Sequence, residues 1–167
     1  MLRDGLRGVE LRGAGRRISV RMGKLPQVVS TCCLVILLAL YVVGAVSHGS
    51  LRHEVQTLPL WVPIVQGFRG RGMAKWAALP CLVFWLAVMV LIWLFLLGWA
   101  RVVTGHFSAV EIVMTLLIGL ATIAGLVACF RWRTGVGWLR AFGIATLFAI
   151  LQLAVFRISL LPYIATR

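Results

Sequence analysis

Residues 76–100 read WAALPCLVFWLAVMVLIWLFLLGWA, an unbroken apolar run with no charge between Lys75 and Arg101. About 20 residues of helix at 1.5 Å rise cross a hydrocarbon core of ~30 Å. This run is long enough, and a soluble chain of 167 residues has no core large enough to hide it. Three further runs repeat the pattern. They are 28–46, 112–130 and 141–162, the last continuing past Arg157, whose long side chain can reach the interface. Continuous runs call for helices, because a membrane barrel would show ten-residue segments of alternating polarity. The fold expected is therefore all-α, a polytopic antiparallel four-helix transmembrane bundle. It divides into a basic tail, 1–25, and one four-span membrane domain, 26–167.

The composition agrees. Hydrophobic residues make up 62% and charged residues 13%, with a mean hydropathy of +1.02. An ordinary soluble domain is roughly half apolar and a quarter charged. Lys and Arg number 17 against 4 Asp and Glu. In a soluble domain that excess would point to nucleic acid. Here the cations flank apolar runs, where they meet lipid headgroups and set topology. The partners expected are the bilayer and its anionic lipids, together with another membrane protein or a second copy, and not nucleic acid. A helical bundle fits a bacterial inner (plasma) membrane rather than an outer one.

The tail carries Arg3, Arg7, Arg12, Arg16, Arg17, Arg21 and Lys24 among five glycines, a composition that opposes helix and reads as disordered. Met22 is a plausible alternative start. Ala45-Val46-Ser47 resembles a signal-peptide cleavage site, but the apolar run before it exceeds a signal core, so an anchor is expected.

The connection from His48 to Lys75 is the only long one. Its stretch Thr57–Phe68 is apolar, too short to span and interrupted by Pro59 and Pro63, and it reads as interfacial or shallowly re-entrant. On four crossings the tail, the second loop and the C-terminus share one side, which carries ten cations against seven on the other. Counted from Met22 the balance becomes four against seven. The loop charges thus favour the first and third loops as cytoplasmic.

Few residues offer chemistry. His48, His53 and Glu54 are the densest polar group and could hold a metal or move a proton. They lack the second histidine of HExxH, and a membrane-proximal turn explains them as well. His106 lies in the second loop, across the bilayer from them on this topology. Haem has few axial candidates, and no cofactor is expected. Arg69, Arg71 and Lys75 before the second span could join Arg131, Arg133 and Arg140 of the third loop around a lipid phosphate. An ordinary topogenic rim explains them equally. Ser108 and Glu111 match a capping box. Thr115, Gly119 and Thr122 on the third span, with Gly143 and Thr146 on the fourth, are small residues on one face, expected to join these two helices. Cys32, Cys33, Cys81 and Cys129 all lie in apolar runs and read as small hydrophobes.

Three functions remain open. The first is an accessory or structural component acting by association. The second is a binder or enzyme acting on anionic lipid at the first- and third-loop face, where His48 or His53 should stand near Arg131, Arg133 or Arg140. The third is a small channel or transporter with a polar path lined by Thr115, Thr122 and Gln152, although no acid, lysine or histidine lies deep in a span.

Overall fold

A computed structural model describes residues 24–47, 50–99 and 108–161. The basic tail before Lys24, together with His48, Arg101, His106 and Pro162, lies outside the described residues. Four long apolar helices form the bundle: α1 (Leu25–Val46), α4 (Met73–Leu96), α5 (Ala109–Arg131) and α6 (Trp138–Ser159). Between the first two stand α2 (Ser50–Thr57), one 3₁₀ turn (Leu58–Leu60) and α3 (Trp61–Phe68).

The helix ends follow from local chemistry. Pro26 occupies the first turn of α1, where a missing N–H costs nothing. The two described residues with positive φ, Gly70 (68°) and Gly98 (76°), stop α3 and α4 in the same way. Arg71 N–H donates to the Gln66 carbonyl and Gly70 N–H to that of Gly67. Trp99 and Gly98 repeat this with Leu94 and Phe95. Each pair of bonds is a Schellman cap, which needs a left-handed residue and so favours glycine. Trp99 therefore lies beyond its helix, exposed, rather than at the end of it. Ser108 starts α5 with a complete capping box.

The packing fixes the layout and the directions of the helices. α5 packs against α1 and α4, while α6 packs against α4 and α2. Cys33 of α1 lies near Cys81 of α4 and Cys129 of α5. The starts of α1 and α4 and the end of α5 thus share one end of the bundle, here the near end. Met73, Arg140 and Gly143 line one hollow there, so α6 also starts at the near end.

The stretch expected at the interface packs lengthwise against the bundle, one side buried and the other exposed. Ser30 Oγ donates to the Pro63 carbonyl at 3.3 Å. Four residues further along α3, Gly67 lies against Pro26 and Ser30, four residues back along α1. The chain from Ser50 to Phe68 therefore runs antiparallel beside α1, from its far end to its near end. Its first half, α2 and the 3₁₀ turn, lies between α1 and α6, and its second half, α3, lies between α1 and α4. Pro59 and Pro63 break α-helical regularity, yet both are buried, as are Thr57 and Leu60.

A second expectation also changes. Spans three and four do not join, since α5 and α6 make almost no contact. Thr115, Gly119 and Thr122 are buried, but a Cβ on Gly119 would meet the Trp93 ring of α4 at 2.6 Å. The small face of α5 thus receives bulky side chains from α4, with Gly125 seated against Leu82 and Cys32. Gly143 has no neighbour within 4 Å of a built Cβ, and Thr146 is exposed. Small residues marked close approach on α5 and not on α6. Spacing along a helix gives its faces but not which helix they meet.

Gly67→Ala should therefore destabilise the bundle by about 1–3 kcal/mol, because the rigid Pro26 carbonyl stands 3.0 Å from the new methyl. Gly143→Ala, in open space, should be neutral or stabilising by up to ~1 kcal/mol. Unfolding of both variants by sodium dodecyl sulfate, titrated from mild detergent, measures the contrast.

Candidate functional site

Two polar regions stand at opposite ends of the bundle. At the far end, α2 turns Arg52, His53, Gln56 and Thr57 inward or sideways at helical spacing. Gln56 Nε2 donates to Ser159 Oγ of α6 at 2.8 Å, and Ser159 Oγ donates to the Phe156 carbonyl at 2.7 Å. Gln152 Nε2 reaches the Gln56 carbonyl at 3.4 Å. Gln152 is 1% exposed and Gln56 3%, so these bonds form out of contact with water or lipid. Thr57 Oγ1 donates to the Glu54 carbonyl, closing the last turn of α2. Arg52 Nε, His53 Nδ1 and Gln152 Oε1 are buried without a hydrogen-bond partner. Glu54 itself is exposed.

Glu111 belongs to this end. Its carboxylate accepts from Ser108 N–H at 2.7 Å and from Ser108 Oγ at 2.8 Å. Glu111 N–H in turn donates to Ser108 Oγ at 3.3 Å. It also lies within electrostatic reach of His53. Among the described residues no three His, Cys, Asp or Glu side chains are placed to hold a metal ion.

The near end is cationic. Lys24, Arg69, Arg71, Lys75, Arg131, Arg133 and Arg140 all lie at helix ends or turns there. Lys75 is held in place: its Nζ donates to the Trp132 carbonyl at 2.7 Å and stands 4.8 Å from the Trp76 ring centroid. Trp76 Nε1 donates to Thr134 Oγ1 at 3.2 Å. These bonds tie the third loop to the start of α4. Trp132 is buried beneath them. Beside this tie lies a hollow of about 560 Å³ lined by Met73, Val136, Gly143, Ile144, the loop glycines and Arg140.

His53 and the third-loop arginines therefore share no site. Glu111, near His53, and Arg131 stand at opposite ends of α5, about 30 Å apart at 1.5 Å per residue. Thr115 and Thr122 on α5 and Gln152 on α6 line no common path within one copy, because α5 and α6 make almost no contact. The two hydroxyls donate to the Ile112 and Ile118 carbonyls of their own helix.

The sequence reading also missed a convergence. Cys33 sits beside Cys32, Cys81 and Cys129, all four free and buried where α1, α4 and α5 meet. Their common position at the near third of three spans was the available signal, but it needed the directions of the helices. No protein-family model, curated protein or solved structure matches the chain.

Gln56→Ala and Ser159→Ala should each destabilise the bundle, and the double variant should lose less than the sum. The coupling expected for one interhelical hydrogen bond is about 0.6–2 kcal/mol. A double-mutant cycle in detergent measures it, and simple additivity would show that the bond contributes nothing.

Proposed function

We propose that this integral membrane protein acts by association within the bilayer, as an accessory or structural component of a bacterial inner (plasma) membrane. The observation that carries this reading is the one-sided attachment of α6. It packs against α4 and the α2 region and leaves α1 and α5 almost untouched. Its other face, with Phe142, Gly143, Thr146, Leu147, Ile150 and Leu153, is exposed. Gly143 and Thr146 stand one turn apart on that face, and small residues let a second helix approach closely. The face suits another membrane helix, from this chain or a different one.

A photo-crosslinking residue at Leu147 or Ile150 should capture a discrete protein partner in intact membranes. The same residue at Leu120, on the lipid-facing side of α5, should capture lipid only. Equal lipid labelling at all three positions would remove the reading. Gly143→Leu should reduce the captured product several-fold, since a bulky side chain separates the helices.

A second reading rests on the near-end hollow, whose apolar walls and Arg140 suit an anionic lipid, with the phosphate at the guanidinium and an acyl chain beside Met73 and Ile144. This reading uses the arginines without the histidines. Arg140→Gln should lower the anionic phospholipid retained on the purified protein, measured by native mass spectrometry, without changing its thermal stability. Unchanged retention would exclude it.

A further inference from the structure

We infer that Ser50–Phe68 is itself a membrane crossing, and that the near end of the bundle is the surface facing the anionic cytoplasmic leaflet. Lys24 and Leu161 then lie on opposite sides of the bilayer.

Four observations carry the crossing. The first is register: Ser30 meets Pro63 and Pro26 meets Gly67, so the segment retraces α1 from far end to near end. The second is reach. Sixteen α-helical residues at 1.5 Å and three 3₁₀ residues at 2.0 Å cover about 30 Å, the thickness of the hydrocarbon core. The third is inverted polarity. Leu51, Leu58, Trp61, Val62, Val65 and Phe68 are exposed along the outer side, with Glu54 the one exposed charge among them, near the far end, while Gln56 and Thr57 are buried. Such an arrangement suits lipid outside and protein inside. The fourth concerns the broken backbone, which lipid tolerates only where protein covers it. The break at Pro59 and Pro63 is covered. Hydropathy alone passes over this segment, because Arg52, His53, Glu54 and Gln56 crowd its first half.

The crossing also decides the charge distribution. With it, Lys24, Arg69, Arg71, Lys75, Arg131, Arg133 and Arg140 come to one side together. Among the described residues the far end has only Arg52 and Arg157, with Glu54 and Glu111 beside them. A four-crossing chain leaves Lys24, with the basic tail, on the opposite side from the other six. Cation-rich ends stay in the cytoplasm, where the leaflet carries anionic lipid.

Single cysteines at Lys24, Arg71, Gly135, Trp99 and Leu161, all exposed positions, test this in the full chain. The four native cysteines are buried, so a membrane-impermeant maleimide applied to intact cells should not reach them. We expect Trp99→Cys and Leu161→Cys to label at least about tenfold more than Lys24→Cys, Arg71→Cys and Gly135→Cys, with the difference vanishing after permeabilisation. Alkaline phosphatase fused after Arg167 should be active, and green fluorescent protein fused there should be dark. Lys24→Cys behaving unlike Arg71→Cys and Gly135→Cys would overturn the fifth crossing. Labelling of those three, with Trp99→Cys protected, would overturn the leaflet assignment.

Discussion

Inside hydrocarbon a backbone N–H or C=O without a partner has no water to turn to, and each one costs several kcal/mol. A regular helix satisfies the requirement alone, and four stretches of this chain do so. The stretch from Ser50 to Phe68 does not, because prolines at 59 and 63 remove donors and displace carbonyls. Such a segment can stand among the spans only where other helices cover the break. The layout of the bundle follows from this. α1 and α6 do not close on each other, and the first half of the interrupted helix stands between them, with Pro59 and Leu60 of its 3₁₀ turn buried and Leu58 exposed.

Once seated there, the segment holds its neighbours by two different means. Along α1 the contact is close backbone approach, with Gly67 against Pro26 and Ser30. Along α6 it is polar, through Gln56, Gln152 and Ser159. Apolar packing gives helices in lipid no strong preference for one another over acyl chains, so small residues and buried amides supply selectivity. On α5 the glycines at 119 and 125 do this by admitting Trp93 and Leu82. The same residue type at 143 on α6 admits nothing from the described residues.

How much of this was legible follows from what each feature depends on. The four spans depend on length and apolarity within single stretches, and the sequence displays both. The capping box at Ser108 and Glu111 depends on residues three apart and was equally visible. The glycine stops at 70 and 98 were visible in principle as helix-ending glycines. The path of Ser50–Phe68 was not, because Arg52, His53 and Glu54 hide its lipid-facing stripe from any sum over residues. Its correct reading needs the outer side, Leu51 to Phe68, to be separated from the inner side. The distance from His53 to the third-loop arginines and the meeting of the four cysteines depend on helix direction in the same way, whereas Arg69 and Arg71 share a side with Arg131 on either count. On the fifth crossing proposed above, Lys24 joins those arginines and His53 leaves them, so one short segment decides how the two ends relate.

On the association proposed above, the same geometry gives α6 a defined docking face. At the far end its buried amide and hydroxyl tie it to α2, fixing its rotation so that the face of Phe142, Gly143, Thr146, Leu147 and Ile150 points away from the bundle. At the near end no such bond holds it, and a hollow separates its first turns from Met73. A helix whose rotation is fixed by polar bonds presents one defined surface, as a docking element requires. Were α6 held by apolar contacts alone, it could turn about its axis at little cost and present no constant face. On that proposal Gln56, Gln152 and Ser159 bear on association as well as on stability, although none of them lies on the exposed surface.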